Sequence, residues 1–193
     1  MVFFFVKDTR HKYRWFSSEP LEEIQVKFSR WRKIWELAKN KLMLLPKRSL
    51  SQEQAFDQAA RLAGEDRVRI CHSSRTTEKK EKTRLFFFLQ KQRTSHILLL
   101  VGETLLLPLA GLATLIPGPN VFFGALALVM ITHWRALRGI NRLLAREYEF
   151  IGCPLLAEWE GAVDSRAETE LHLLLGRIEQ EYGLQGLHKI LAK

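Results

Sequence analysis

The longest apolar stretch of the chain covers residues 97–131, and Glu103 is its only charged residue. At about 1.5 Å per helical residue, residues 97–116 span about 30 Å, which is the thickness of one bilayer core. Residues 121–137 add a second leg of about 26 Å. The pattern therefore predicts two consecutive membrane-crossing helices that form a transmembrane hairpin.

Four residues in the middle of this stretch break it. Pro117 and Pro119 each push the preceding residue out of the helical region, so the first helix must end here. Asn120 can cap the second helix by accepting hydrogen bonds from the amides at its start. We therefore expect Pro117, Gly118, Pro119 and Asn120 to form the hairpin turn.

A buried helical hairpin in a soluble protein is the alternative, because Leu-rich helices also occur in large cores. A soluble helix normally carries a polar stripe, and neither leg has one. The rest of the 193-residue chain is also too polar to surround both helices. These arguments favour the membrane.

Basic residues flank the hairpin on both sides. Lys91 and Arg93 precede the first leg, and four arginines follow the second: Arg135, Arg138, Arg142 and Arg146. The positive-inside rule then places both chain termini in the cytoplasm, or in the matrix of an organelle. Trp134 stands at the exit of the second leg, where an interfacial indole is typical.

The hairpin divides the chain into three regions. We predict a basic N-terminal soluble or juxtamembrane region at 1–95, the transmembrane hairpin at 96–138 and a helical C-terminal region at 139–193. Residues 1–96 hold 22 Lys and Arg against 11 Asp and Glu, whereas residues 132–193 hold 8 against 9. No nucleic-acid module accompanies the basic half, so an anionic lipid surface is its expected partner and nucleic acid is not.

Amphipathic helices are expected on the cytoplasmic side. Apolar residues at helical spacing predict one helix that ends at Pro46, with its face formed by Ile24, Phe28, Trp31, Trp35, Ala38, Leu42 and Leu45. Trp31 and Trp35 are candidates for contact with the lipid interface, and packing on the protein's own domain is the alternative.

Further helix boundaries follow from capping signals. A capping box beginning at Ser51 predicts a helix that ends at Gly64. Asp164 is expected to be the N-cap of a last helix, with Gly183 as its stop. Between the hairpin and that helix, Gly152 and Pro154 indicate a connection.

A small β element is also possible. Residues 2–6 form a continuous apolar run, and residues 67–72 alternate with a period of two. We predict that these two segments pair as strands. The expected fold is therefore mainly α: a membrane hairpin broken at Pro-Gly-Pro-Asn, flanked by cytoplasmic amphipathic helices and this small β element.

Sequence motifs for catalysis are not recognisable. The chain has no phosphate-binding loop, zinc-protease motif or nucleophile elbow, and its six histidines are scattered. We therefore expect no metal, no cofactor and no enzymatic activity. Cys71 and Cys153 are far apart in the sequence and should be free thiols.

Glu103 is the candidate for ion coupling. A carboxylate inside a membrane segment is by default a functional hypothesis, because desolvation favours protonation and lets the group carry a proton. The alternative is that Glu103 stays neutral, or pairs with a basic residue near the start of the first leg, and only orders the hairpin.

Two segments of the chain resemble a known family. The residues Leu115-Ile116-Pro117-Gly118-Pro119-Asn120, followed by Phe122 and Phe123, and then His133-Trp134-Arg135-Ala136-Leu137-Arg138-Gly139, resemble the mitochondrial K+-H+ exchange-related family, which has bacterial members. The family pattern His-x-x-Ala-x-x-Gly corresponds here to His133, Ala136 and Gly139, with Arg135 between them. Thr132 departs mildly from the small residue expected before the histidine.

The resemblance implies a role in potassium-proton exchange across an inner membrane. Two helices cannot enclose a polar path through lipid, so we expect a subunit or regulator that forms a homo-oligomer or assembles with a partner membrane protein. The lack of an Arg- and Ser-rich presequence suggests a bacterial inner membrane. A structural or lipid-interacting anchor without transport activity is the alternative.

Overall fold

A computed structural model of the chain describes residues 2–18, 47–61, 67–112, 121–184 and 186–192. These residues form four strands and six helices. The strands are β1 (Val2–Lys7), β2 (Tyr13–Ser17), β3 (Val68–Ser73) and β4 (Tyr148–Cys153). The helices are α1 (Lys47–Arg61), α2 (Glu78–Leu112), α3 (Val121–Leu144), α4 (Pro154–Ser165), α5 (Glu168–Tyr182) and α6 (His188–Leu191).

The strands form one sheet in the order β2-β1-β3-β4. β1 and β2 make an antiparallel hairpin, whereas β3 runs parallel to β1 and β4 runs parallel to β3. Asp8 stabilises the hairpin turn: its carboxylate accepts hydrogen bonds from the backbone amides of Arg10 and Lys12 and lies 2.7 Å from the Arg14 guanidinium. The sheet therefore contains strands from before and after the apolar stretch.

Helices cover both faces of the sheet. Phe3 and Phe5 of β1 pack towards α1, α2 and α3, whereas Phe4 and Val6 pack towards α4, α5 and α6. This burial on both sides explains why the first strand is a continuous apolar run rather than an alternating one. On the second face, the Trp159 indole donates a hydrogen bond to the Lys7 carbonyl at 2.8 Å and ties α4 to β1.

α1 and α3 approach each other very closely at Gly139. A Cβ atom built on Gly139 would lie 1.8 Å from the Phe56 carbonyl oxygen, so a larger residue does not fit. Ala136, one turn earlier on α3, is also fully buried. Small side chains on α3 thus allow α1 to pack against it backbone to backbone.

The long helix α2 has two different parts. In its first part, Leu85 and Leu89 are fully buried in the core formed with the sheet and α3. In its second part, α2 continues to Leu112 in contact with α3. The two helices are antiparallel, because Leu89 shares a core with Ile140 whereas Glu103 contacts His133.

Several sequence predictions agree with this architecture. The described chain is mainly helical with a small sheet, and the two predicted strands do pair, as β1 and β3. The first predicted leg is helical as far as Leu112, and its helix α2 begins earlier than residue 97, at Glu78. Gly183 ends α5 in a left-handed conformation, as expected.

Other predictions were wrong. The sheet has two further strands, β2 and β4, and β4 occupies the segment interpreted as a connection before Pro154. Ser51 is not an N-cap, because α1 already begins at Lys47. Asp164 is not one either: it lies in the last turn of α4 and pairs with Arg75 at 3.0 Å.

Some predictions fall on residues that the structure does not describe. These are the turn at Pro117, Gly118, Pro119 and Asn120, the helix face with Trp31 and Trp35, and the helix end at Gly64.

The close approach at Gly139 generates a testable prediction. Gly139→Ala should lower the free energy of unfolding by about 1–3 kcal/mol, because the added methyl group collides with the α1 backbone. Gly176→Ala on α5 is the matched control: nothing lies within 4 Å of its Cβ position. The free energy of unfolding of Gly176→Ala should rise by about 0.5–1 kcal/mol, because alanine has the higher helix propensity. Unfolding in detergent measures the free-energy change of each variant. Equal changes in the two variants would contradict the close packing of α1 against α3 at Gly139.

Candidate functional site

The contact of α2 with α3 and α1 contains a group of ionisable side chains, which we call the seam cluster: His96 and Glu103, which are buried, and Glu53 and His133, which are partly buried. His96 and Glu103 lie seven residues apart on α2 and are only 4% and 8% exposed. A spacing of seven places both side chains on the same side of the helix, facing α3. α3 contributes His133, and α1 contributes Glu53.

Glu103 and His133 form the central pair of the cluster. The distance between Glu103 Oε1 and His133 Nδ1 is 2.6 Å. With its proton on Nδ1, His133 donates this short hydrogen bond to the carboxylate. Bonds of this length between ionisable groups are strong, and they are stronger where water is excluded. The pair therefore links α2 to α3 across the seam.

Glu53 lies on the other side of the same imidazole. Its Oε1 is 3.6 Å from His133 Nε2. Burial raises the pKa of the Glu53 carboxyl above its ordinary value of 4.5, attraction to His133 opposes the rise, and repulsion from Glu103 adds to it. His133 is thus placed between two carboxyl groups, one on each ring nitrogen.

His96 completes the cluster. Its Nδ1 lies 2.8 Å from the Gln92 carbonyl oxygen, and its ring meets the His133 ring edge to face at 5.6 Å between centroids. His96 Nε2 and Glu103 Oε2 are buried without a hydrogen-bond partner among the described residues. Unpaired buried polar atoms are costly, and they are typical of sites that bind or exchange something.

The three motif residues of α3 have different roles. His133 joins the seam cluster, whereas Ala136 and Gly139 permit the close packing of α1 that brings Glu53 to His133. Arg135 points outward and pairs with Asp57 of α1 at 3.2 Å. The pattern His-x-x-Ala-x-x-Gly therefore combines an ionisable side chain with the packing that surrounds it.

A polar cavity of about 540 Å³ opens beside the cluster, between β2, α1 and α2. Glu53 and His96 line it directly. The other lining residues are mostly polar or basic: Lys12, Tyr13, Arg14, Gln52, Phe88, Lys91, Gln92, Ser95 and Leu99. One side of the seam cluster therefore faces this polar cavity.

The outer surface of α2 is apolar from Ile97 onward. In the described part of the chain, one helix, Glu78–Gly111, is long and apolar enough by length and composition to cross a membrane, and 11% of its apolar window is buried. Its exposed large apolar residues are Phe86, Phe87, Ile97, Leu98, Leu99, Val101, Leu105, Leu106 and Leu109. On α3, Trp134 is 62% exposed. A core helix of a soluble protein would show the opposite distribution.

The two cysteines are neighbours on the other face of the sheet. β3 and β4 place them on adjacent strands, with Cys153 opposite Ser73 in the ladder. Both are free and buried, which confirms the prediction of free thiols. Hydrogen bonding from the Cys71 thiol lowers the pKa of Cys153 to about 7 and raises that of Cys71, with burial opposing the first shift and adding to the second.

Sequence reasoning identified Glu103 but not its partners. The expected partner was a basic residue near the start of the first leg, whereas the structure places His133 of the second leg against it. The sequence singles out His133 only as a residue of the family pattern, and it indicates no role for His96 or Glu53. The seven-residue spacing of His96 and Glu103 was the available signal. Among the described residues, no group of three or more His, Cys, Asp or Glu side chains could hold a metal ion.

Comparison with known proteins identifies one related group. The family described as mitochondrial K+-H+ exchange-related matches residues 13–145, well over half of the chain. The match includes all four members of the seam cluster and the motif residues of α3. No match was found among curated proteins or among solved structures.

The raised pKa of Glu53 predicts a pH-dependent stability. A folded-state pKa above the unfolded value means that the contribution of Glu53 is complete below the unfolded pKa and is lost as the pH rises through the folded pKa. Glu53→Gln lacks this titration. The unfolding free energy of the wild type relative to Glu53→Gln should therefore fall as the pH rises above the ordinary Glu pKa of 4.5. Unfolding in detergent measures it, and a difference independent of pH would contradict the burial of the carboxyl group.

Proposed function

The chain belongs to the mitochondrial K+-H+ exchange-related family, and we propose that it is an integral membrane protein that acts in this exchange as a subunit or regulator of a transport assembly. The proposal rests mainly on one observation: the α2–α3 pair is apolar outside and ionisable inside. Glu103 is 8% exposed, whereas its helix neighbours Leu105 and Leu106 are 72% and 50% exposed. Membrane helices have this distribution, with ionisable groups directed at each other and apolar groups directed at lipid.

The sheet supports a hairpin that enters and leaves the membrane on one side. β1 and β3 precede residues 97–131, and β4 follows them, yet all three belong to one sheet. Strands cannot pair across a bilayer, so the parts of the chain before and after the apolar stretch lie on the same side. Together with the antiparallel packing of α2 and α3, this favours two crossings.

The basic residues at both ends of the apolar stretch support a cytoplasmic location for the sheet and the helices packed on it. Lys91 and Arg93 precede the apolar stretch, and Arg138 and Arg142 follow it, so the positive-inside rule places the sheet and its helices in the cytoplasm. Trp134 is then at the level of the head groups, beside His133. An inner membrane, of a bacterium or of a mitochondrion, fits this orientation.

Two helices do not enclose an ion path by themselves. Polar groups at membrane depth need protein or water on every side, and one hairpin leaves its outer face to lipid. We therefore propose that the protein works in an assembly, with further copies or with a partner membrane protein. Glu103 and His133 supply protonatable groups to that assembly, with potassium and protons as the transported ions.

The outward apolar surface can be tested by a pair of matched substitutions. Leu105→Lys changes a residue of α2 that is 72% exposed, and Leu173→Lys changes one of α5 that is 68% exposed. In lipid, the first change costs about 3–4 kcal/mol of insertion free energy, whereas the second is solvated. After alkaline carbonate washing, only Leu105→Lys should move from the membrane pellet to the supernatant. Release of the wild type, or equal behaviour of both variants, would rule out the spanning helix.

The coupling role of Glu103 can be tested in inverted membrane vesicles. Glu103→Gln keeps the shape of the side chain and can still bond to His133, but it cannot exchange a proton. It should insert normally and abolish the effect of the protein on potassium-dependent pH recovery. If the variant and the wild type behave alike, and both differ from vesicles that lack the protein, Glu103 is structural. If wild-type vesicles match vesicles without the protein, the anchor without transport activity is favoured.

A further inference from the structure

His133 lies between two carboxyl groups, which is the arrangement of a proton path and not only of an ion pair. Its Nδ1 contacts Glu103 at 2.6 Å, and its Nε2 faces Glu53 at 3.6 Å. Glu103 belongs to the apolar stretch, whereas Glu53 lines the polar cavity. The imidazole thus separates a carboxyl group of the apolar stretch from one that lines the polar cavity.

We propose that Glu53 and His133 form a proton relay that connects the polar cavity to Glu103. The relay extends the proposed function, since it names the route by which protons reach the coupling carboxylate. Glu53 and His133 are positioning and transfer groups of this route, and the cavity between β2, α1 and α2 is its entrance.

The geometry suits stepwise transfer. The contact at Glu103 is already a short hydrogen bond, and the contact at Glu53 is roughly half an ångström longer than one, so a small side-chain adjustment closes it. No described side chain uses the second oxygen of Glu103, Oε2. That oxygen remains available to pass the proton onward or to bind water.

Each step conserves protons. A water-borne proton from the cavity protonates Glu53, which transfers it to His133 Nε2. The imidazolium then releases its other proton, on Nδ1, to Glu103 Oε1. The result is a neutral Glu103, an ionised Glu53 and a His133 whose proton is now on Nε2. The starting tautomer is restored when the ring gives its Nε2 proton to water and takes up a proton from water at Nδ1, and histidine is the side chain best suited to such a cycle at neutral pH.

The entrance of the proposed relay is lined by basic side chains. Lys12 of the hairpin turn, Arg14 of β2 and Lys91 of α2 line the cavity, together with the Tyr13 hydroxyl. Arg14 is already paired with Asp8. Burial and repulsion from Glu103 favour the protonated form of Glu53, and attraction to His133 favours its carboxylate form. Because these effects oppose each other, the Glu53 carboxyl group can both accept and release a proton.

The alternative to a relay is a closed structural network, in which Glu53 only stabilises the fold. The two differ in how fast His133 exchanges its ring proton with water. In a relay, Glu53 carries protons between the cavity and the imidazole. In a closed network, exchange requires local opening of the helices and does not depend on a protonatable group at position 53.

The experiment measures hydrogen exchange of the histidine ring protons by nitrogen NMR, with the full protein in lipid nanodiscs. His133→Gln assigns the His133 signal. Glu53→Gln should slow exchange at His133 by at least about tenfold, because general acid-base transfer is lost. Asp57→Asn, one turn away on the same helix, is the matched control and should leave the rate within about twofold.

His96 is the internal control, since it lines the same cavity without using Glu53 for transfer. Its exchange should be unchanged in Glu53→Gln, which separates loss of the relay from loss of the fold. Glu53→Asp keeps a protonatable group and should recover most of the rate if Glu53→Gln proves too unstable. An unchanged His133 rate in Glu53→Gln, or an equal slowing in Asp57→Asn, overturns the relay.

The outcome is independent of transport. If vesicles show no potassium-dependent pH recovery but Glu53→Gln still slows hydrogen exchange at His133, the proton relay is supported. The proposed role in potassium-proton exchange is then contradicted. If pH recovery in the vesicles depends on Glu103 but hydrogen exchange at His133 does not depend on Glu53, the proposed role in potassium-proton exchange is supported. The proton then follows a different route.

Discussion

The parallel pairing of β3 with β4 constrains the rest of the structure. Its ladder runs from Val68 opposite Tyr148 to Ser73 opposite Cys153. β3 leads into α2 and β4 follows α3, so the chain must leave the sheet and return to the neighbouring position. Two helices that begin and end at adjacent strands have to run side by side and antiparallel. The contact between α2 and α3, with the ionisable groups in it, follows from this connection.

The same constraint brings a third helix to the seam. α1 packs on the sheet through Phe56 and reaches α3 where Gly139 and Ala136 leave room for its backbone. This close approach brings Glu53 to His133. Burying ionisable groups costs free energy unless they are paired, and pairing here joins three helices through one imidazole. The partly satisfied cluster therefore favours a functional origin over a purely stabilising one.

Local signals in the sequence were reliable where no distant contact competed with them. The strand at residues 2–6, the helix end at Gly183 and the helical character of the first leg were all predicted. Ser51 and Asp164 were assigned as N-caps because their side chains can accept amide hydrogen bonds. In the structure, α1 starts a full turn before Ser51, and Asp164 pairs with Arg75, 89 residues away. β4 was missed because it contains Gly152 and directly precedes Pro154.

The sequence by itself determined the apolar stretch, its one carboxylate and the basic residues at both of its ends, because these properties depend on composition along the chain. Only the tertiary structure decided what Glu103 contacts. His133 lies 30 residues away, on another helix, and Glu53 lies 80 residues from His133, on a third. Periodicity tells which side of a helix is buried, but it carries no information on which side chain lies opposite. That choice depends on the sheet, which holds the three helices in register.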